Sequence, residues 1–303
     1  MMKKYINYMA LAFIMGIMPV ACSNEESLEP SGINDNFFKV ADDAQDAESV
    51  LRRNFYNDNG IYLLFNDTLR KELVGQNAYG EDVWKVETVD LQYNMTSYGV
   101  YSLHFNYMTS LSDKQKAATL VKEYVLPHLS GGMRPYSILL LNGLATLVSY
   151  DELQPTPCYT NMRCMAIAAG EWVNMNAEEQ EAYRREICKT LVSGKCSSTD
   201  EAFDAFYAIS DKYYGEYISD IFSGWDRNME YVYECGFLDY KKDSWGEIEY
   251  DYFYYESTDF TSFYNAVMDM TEEDFLALYS DYPLIMQKYY AMRNAIIELG
   301  YIF

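Results

Sequence analysis

Apolar runs of strand length crowd the first half of this 303-residue chain, and helix-period segments take over the second. Ile61-Tyr62-Leu63-Leu64-Phe65 follows Asn59-Gly60 and is too short for a helix, so it predicts a buried strand. Val83 to Leu91, Tyr98 to Phe105, Ser137 to Leu141, Ala145 to Tyr150 and Cys164 to Ala169 predict further strands. Residues 43–56 put Ala47, Val50, Leu51 and Phe55 on one helical side, with Asn57-Asp58-Asn59-Gly60 as the break. Ser112-Asp113-Lys114-Gln115 has capping-box spacing for a helix reaching Val125. Asn176-Ala177-Glu178-Glu179 opens a second such helix, 177–192. Helical segments at 201–209, 211–222, 226–234, 258–268, 272–280 and 283–299 follow it. The expected class is α+β: a small N-terminal mixed sheet with helices, then a mostly helical C-terminal half.

The first residues have the order of a secretory signal. Lys3 and Lys4 precede an uncharged apolar stretch from Tyr5 to Met18, shorter than the about 20 residues of a membrane span. Val20-Ala21-Cys22 then resembles a lipobox. The expected organisation is a signal peptide at 1–21, a lipidated acidic tether at 22–36 and a globular domain at 37–303. Ser23 to Gly32 is polar, acidic and broken by Pro30, a composition that cannot bury a core. An acidic cluster after the lipid-bearing cysteine resembles the export signal of surface-displayed Gram-negative lipoproteins. An outer-membrane lipoprotein anchored through Cys22, at the cell surface in preference to the periplasm, is the expectation.

Charge narrows the partners. With 46 acidic and 23 basic residues the net charge is −23, which excludes nucleic acid and anionic lipid as electrostatic partners. A peptide, protein or glycan ligand remains open. Beyond Cys22, the cysteines are Cys158, Cys164, Cys188, Cys196 and Cys235, an odd set that leaves a free thiol. Cys158 and Cys164 close a short loop and are the expected pair. Cys188 and Cys196 would meet only if the helix ended between them, at Gly194.

Catalytic signatures are sparse. Neither a phosphate loop, a dinucleotide fingerprint nor a serine elbow occurs. His104 and His128 are the only histidines, so a histidine-rich metal site is excluded. Asp151 with Glu152, or Glu247 with Glu249, would serve a glycosidase only if the two acids faced each other at a fixed separation; a solvated acidic surface is the favoured reading. The 31 tyrosines include the run Tyr250-Asp251-Tyr252-Phe253-Tyr254-Tyr255-Glu256. Aromatic faces with polar rims suit sugars and peptide side chains, which makes Tyr252, Tyr254 and Tyr255 candidate ligand contacts. Rings alternating between core and rim are the competing reading.

Gly60 to Asp67, the helix 112–125, the strand Ser137 to Leu141, the helix 177–192, Tyr233-Glu234-Cys235-Gly236-Phe237, Thr258-Asp259-Phe260 and the C-terminal helix follow one another over roughly 37–302. In that order they resemble the zinc-binding metallopeptidase lipoproteins of Gram-negative gut-type bacteria. The resemblance implies a zincin-like fold with His-Glu-x-x-His on the central helix, two imidazoles one turn apart on zinc and a glutamate that activates water. The matching stretch here is Arg185-Glu186-Ile187-Cys188-Lys189. The glutamate is kept, and both ligand positions carry cations with no lone pair to give. The later acidic ligand falls near Thr258. The expectation is therefore no cofactor: zinc belongs to the family, but its ligands are absent. Arg185, Glu186, Lys189 and Thr258 are vestigial positions, none catalytic. A non-catalytic binding protein is expected; the alternatives are an active zinc peptidase with ligands elsewhere, and a glycan-binding accessory protein of a polysaccharide uptake system.

Overall fold

The computed structural model describes residues 36–91, 103–149, 152–243 and 250–303. Helix α1 (Ala47–Asn59) starts where the Asp46 carboxylate accepts the Ser49 amide at 2.9 Å. It ends at Gly60, whose φ of 69° only glycine adopts without strain. Asn57 to Asn59 form the last turn instead of breaking it, because the Asn59 side chain donates back to the Phe55 carbonyl. Helix α2 (Leu111–Leu120) is capped by Ser110, not Ser112, and its last apolar turn widens into a π-turn at Val121–Val125.

Strands β1 (Tyr62–Leu64), β2 (Thr68–Gln76), β3 (Asp82–Thr88), β4 (Leu103–Tyr107), β5 (Ser137–Ser149), β6 (Glu152–Pro155), β7 (Cys158–Thr160) and β8 (Met165–Ala168) build the first half. β5 is one continuous strand where the sequence suggests two. Its first part lies parallel between β1 and β8, with Tyr62 opposite Ser137 and Ile138 opposite Met165. Its second part lies antiparallel between β4 and β6. Asn142 and Gly143 mark the exchange of partners. β7 closes the β8 edge. β2 and β3 form a separate, exposed two-stranded ribbon.

A strand flanked by parallel neighbours is buried on both faces. Ile138, Leu139, Leu140 and Leu141 all have no exposure. Ile138 and Leu140 join Met165 and Ile167 in the main core beneath the helices. Leu139 and Leu141 join Leu64 and Ala166 in a second core closed by Phe38, Val89 and Leu91. This alternation corrects the expected Cys158–Cys164 bridge: Cys158 packs in the main core and Cys164 in the second, on opposite faces, and both are free thiols.

Helix α3 (Ala177–Lys195) carries the full capping box, with the Asn176 side chain accepting from Glu179 and the Glu179 carboxylate accepting from Asn176. It runs through Gly194, so Cys188 and Cys196 stand about 12 Å apart along its axis, beyond disulfide reach. The remaining helices are α4 (Asp204–Ala208), α5 (Ile218–Ile221), α6 (Met229–Glu234), α7 (Glu256–Asp269), α8 (Glu272–Tyr279) and α9 (Pro283–Glu298). The predicted helix 211–222 shrinks to a short turn and α5, because Gly215 takes φ 71° and the chain runs extended to Tyr217. Between α6 and α7, β9 (Tyr240–Lys241) and β10 (Tyr252–Phe253) pair antiparallel over a small third core of Ile218, Trp225, Val232, Phe237 and Phe253. Residues Phe38–Phe303 form one unit of α+β class. Among the described residues, no helix is long and apolar enough to cross a membrane.

Candidate functional site

Strand alternation sorts the aromatic run. In the β9–β10 pair, Tyr240 and Phe253 point into the third core, while Lys241 and Tyr252 point outward. The extended segment before α5 adds a third edge through a bridge between Tyr217 and Tyr252. The Phe253 amide donates to the Glu216 carbonyl at 3.0 Å, and the Ile218 amide to the Asp251 carbonyl at 3.1 Å. Tyr217 and Tyr252 then meet edge-to-face at 6.0 Å, and Tyr252 meets Tyr255 at 6.1 Å. Tyr217 is 45% exposed and Tyr255 51%. Lys241 Nζ stands 5.1 Å from the Tyr252 ring centre, and the hydrogen bond its ammonium donates to the Tyr252 hydroxyl oxygen raises its pKa. Glu216 and Glu256 supply exposed carboxylates nearby in the chain.

Two features fix this platform. A Cβ at Gly215 would fall 2.5 Å from Tyr255 Cε1, so the close approach of that ring requires glycine. Asp251, with a fully buried side chain, anchors the start of β10: its carboxylate accepts from Trp225 Nε1 at 3.1 Å, Arg227 Nε at 2.7 Å, Arg227 Nη2 at 3.2 Å and the Asp243 amide at 3.3 Å. Burial alone would raise the Asp251 pKa; the Arg227 and Trp225 hydrogen bonds and the Arg227 charge hold it below the ordinary value. Arg227 keeps a left-handed φ of 67° to make this clamp.

Of the three sequence-chosen tyrosines, Tyr252 and Tyr255 share the platform, and Tyr254 packs against the third core. Tyr217 was not anticipated; the alternation of Gly215, Glu216, Tyr217 and Ile218 is the signal that carries it.

The vestigial positions do not converge. Arg185 and Glu186 are exposed on α3, and Arg185 lines a cavity of about 300 Å³ with Arg184, Asp269 and Arg293. Lys189 is tied to the Asp269 carboxylate at 2.6 Å. Thr258 lies eleven residues before Asp269 on the same helix, about 16 Å along its axis, and its carbonyl accepts from Ser262. A guanidinium, a paired ammonium and a distant hydroxyl do not fit a zinc ion. Among the described residues, no group of three or more His, Cys, Asp or Glu side chains is gathered to hold a metal. His128 Nδ1 lies 2.7 Å from the Ile302 carbonyl and its ring stacks on Tyr301, while His104 is exposed on β4. The signal peptide, Cys22, the tether up to residue 35, Asp151, Glu247 and Glu249 lie outside the described residues.

No family profile, curated protein or solved structure matches the chain.

The acid next to Thr258 goes elsewhere. Asp259 is buried on α7 against Lys288 of α9 and accepts the Tyr214 hydroxyl at 2.8 Å. Neither Lys288 nor Tyr214 was singled out in the sequence.

Proposed function

We propose that the chain is a non-catalytic binding protein whose platform of Tyr217, Tyr252 and Tyr255 takes a neutral glycan. The observation that carries this reading is the contact of three outward tyrosines on a backbone fixed from below by Asp251 and Gly215. Ring faces accept the apolar face of a sugar, and phenol hydroxyls, Lys241, Glu216 and Glu256 offer hydrogen bonds to its hydroxyls. The charge of −23 disfavours acidic polysaccharides. Preorganised aromatics lose little side-chain entropy on binding, which suits weak ligands held by a few contacts.

On this reading the protein is a zincin-like surface lipoprotein, held at the outer membrane by lipid on Cys22, whose ancestral cleft has lost its metal. Support for that part comes from the lipobox-like Val20-Ala21-Cys22 and from Arg185 and Lys189 in the motif register.

The test is a glycan array followed by calorimetric titration. A neutral oligosaccharide should bind, and Tyr217→Ala, Tyr252→Ala and Tyr255→Ala should each weaken it about tenfold or more, the scale of a lost aromatic contact. Unchanged affinity in the triple alanine variant would remove the platform from the function.

A further inference from the structure

We propose that Lys288 and Asp259, in contact inside a cage of aromatic rings, condense to an amide between Lys288 Nζ and Asp259 Cγ that staples α9 to α7. This inference is independent of the binding platform. Both side chains have 0% exposure and meet through Nζ and Oδ2. Around the nitrogen stand the rings of Phe237 at 4.5 Å, Phe206 at 4.7 Å, Phe263 at 4.8 Å and Tyr214 at 5.6 Å. Oδ2 also accepts from the Tyr214 hydroxyl, whereas Oδ1 is buried without a hydrogen-bond partner.

A buried ion pair is sustained by further hydrogen bonds to its free lone pairs and protons. This one lacks them at Oδ1. Ring faces favour a cation, yet burial still brings the Lys288 pKa down to about 8 against the pull of Asp259. Burial likewise raises the Asp259 pKa against Lys288 and Tyr214, and Glu256, one turn earlier on α7, adds to the rise. Passing one proton from Nζ to Oδ1, the oxygen with no hydrogen-bond partner, yields an amine and a carboxylic acid, the two neutral reactants of amide formation.

The step balances without a cofactor or oxidant. The Nζ lone pair attacks Cγ, and negative charge develops on Oδ2, where the Tyr214 hydroxyl already donates. A proton passes from the nitrogen to the Oδ1 hydroxyl. The Cγ–Oδ1 bond breaks and water leaves. One N–C and one O–H bond form, while one N–H and one C–O bond are lost. Oδ2 remains as the amide oxygen on Tyr214, the unpartnered Oδ1 is gone, and both buried charges vanish. The remaining N–H faces the rings, a contact that aromatic faces accept.

Mass spectrometry of the purified folded chain tests this. Digestion should give one branched peptide joining the segment around Asp259 to that around Lys288, lighter by one water than its two parts. Lys288 should resist amine labelling after denaturation. Asp259→Ala and Lys288→Arg should each abolish the branched peptide. Should those variants fail to fold, the native chain decides alone: separate peptides with a labelled Lys288, or loss of water without a branch, overturns the proposal.

Discussion

Removing either half of the Asp251–Arg227 pair should destabilise the protein by different amounts, and the difference follows from exposure. The Asp251 side chain is 0% exposed and the Arg227 side chain 35%. In Asp251→Ala, the guanidinium turns to water and recovers most of its solvation. The orphaned Trp225 indole N–H, in a residue only 5% exposed, then costs about 1–3 kcal/mol. In Arg227→Ala, a buried carboxylate is left with one indole and one backbone amide, and a broken buried pair costs about 3–5 kcal/mol. Urea unfolding measures both as midpoint shifts at constant slope. Acidification separates them further. In the native chain the Asp251 pKa is lowered from 3.8, so its stabilisation is present above that value and is lost as pH falls through the lower folded one. In Arg227→Ala, burial dominates and raises the folded pKa, so the deficit relative to the native chain should shrink on acidification. A larger loss in Asp251→Ala than in Arg227→Ala, or parallel pH profiles, would refute the reasoning.

Gly215→Ala should cost about 1–2 kcal/mol from its left-handed φ of 71°, and the new Cβ should push Tyr255 off the platform. Thermal melting reads the first effect and glycan titration the second. Asn176→Ala should lower stability by about 1 kcal/mol through loss of the α3 cap, seen as a drop in melting temperature by far-UV circular dichroism. Leu140→Ala, in the doubly buried part of β5, should cost about 2–5 kcal/mol in the same unfolding assay.

Much of the architecture was legible where one signal decided it. The Asn176 to Glu179 spacing located the start of α3 to the residue, and the helical periods located α7, α8 and α9. The unity of β5 was hidden because Asn142-Gly143 reads locally as a break, whereas tertiary pairing carries the strand through it. The strand expected from Val83 is β3, but its partner β2 escaped notice because the ribbon buries no face, so β2 shows no alternation. At the candidate site, the run around Tyr252 was visible, but Tyr217 joins it only through sheet pairing across the intervening chain. Lys288 carried a readable sign: it sits at helical spacing between Ile285 and Met292 on an otherwise apolar face. Its partner Asp259 belongs to another helix, and no local pattern links them.

The scattering of sulfur through three separate interiors makes oxidation a record of assembly. Cys158 and Cys188 lie in the layer under the helices, Cys164 beyond the sheet, and Cys235 in the satellite core. Once the strands have closed, no sulfur can reach across them. A trapped Cys158–Cys164 crosslink in refolding mixtures would therefore date from chains in which β8 had not yet docked, and its yield over time would clock that docking.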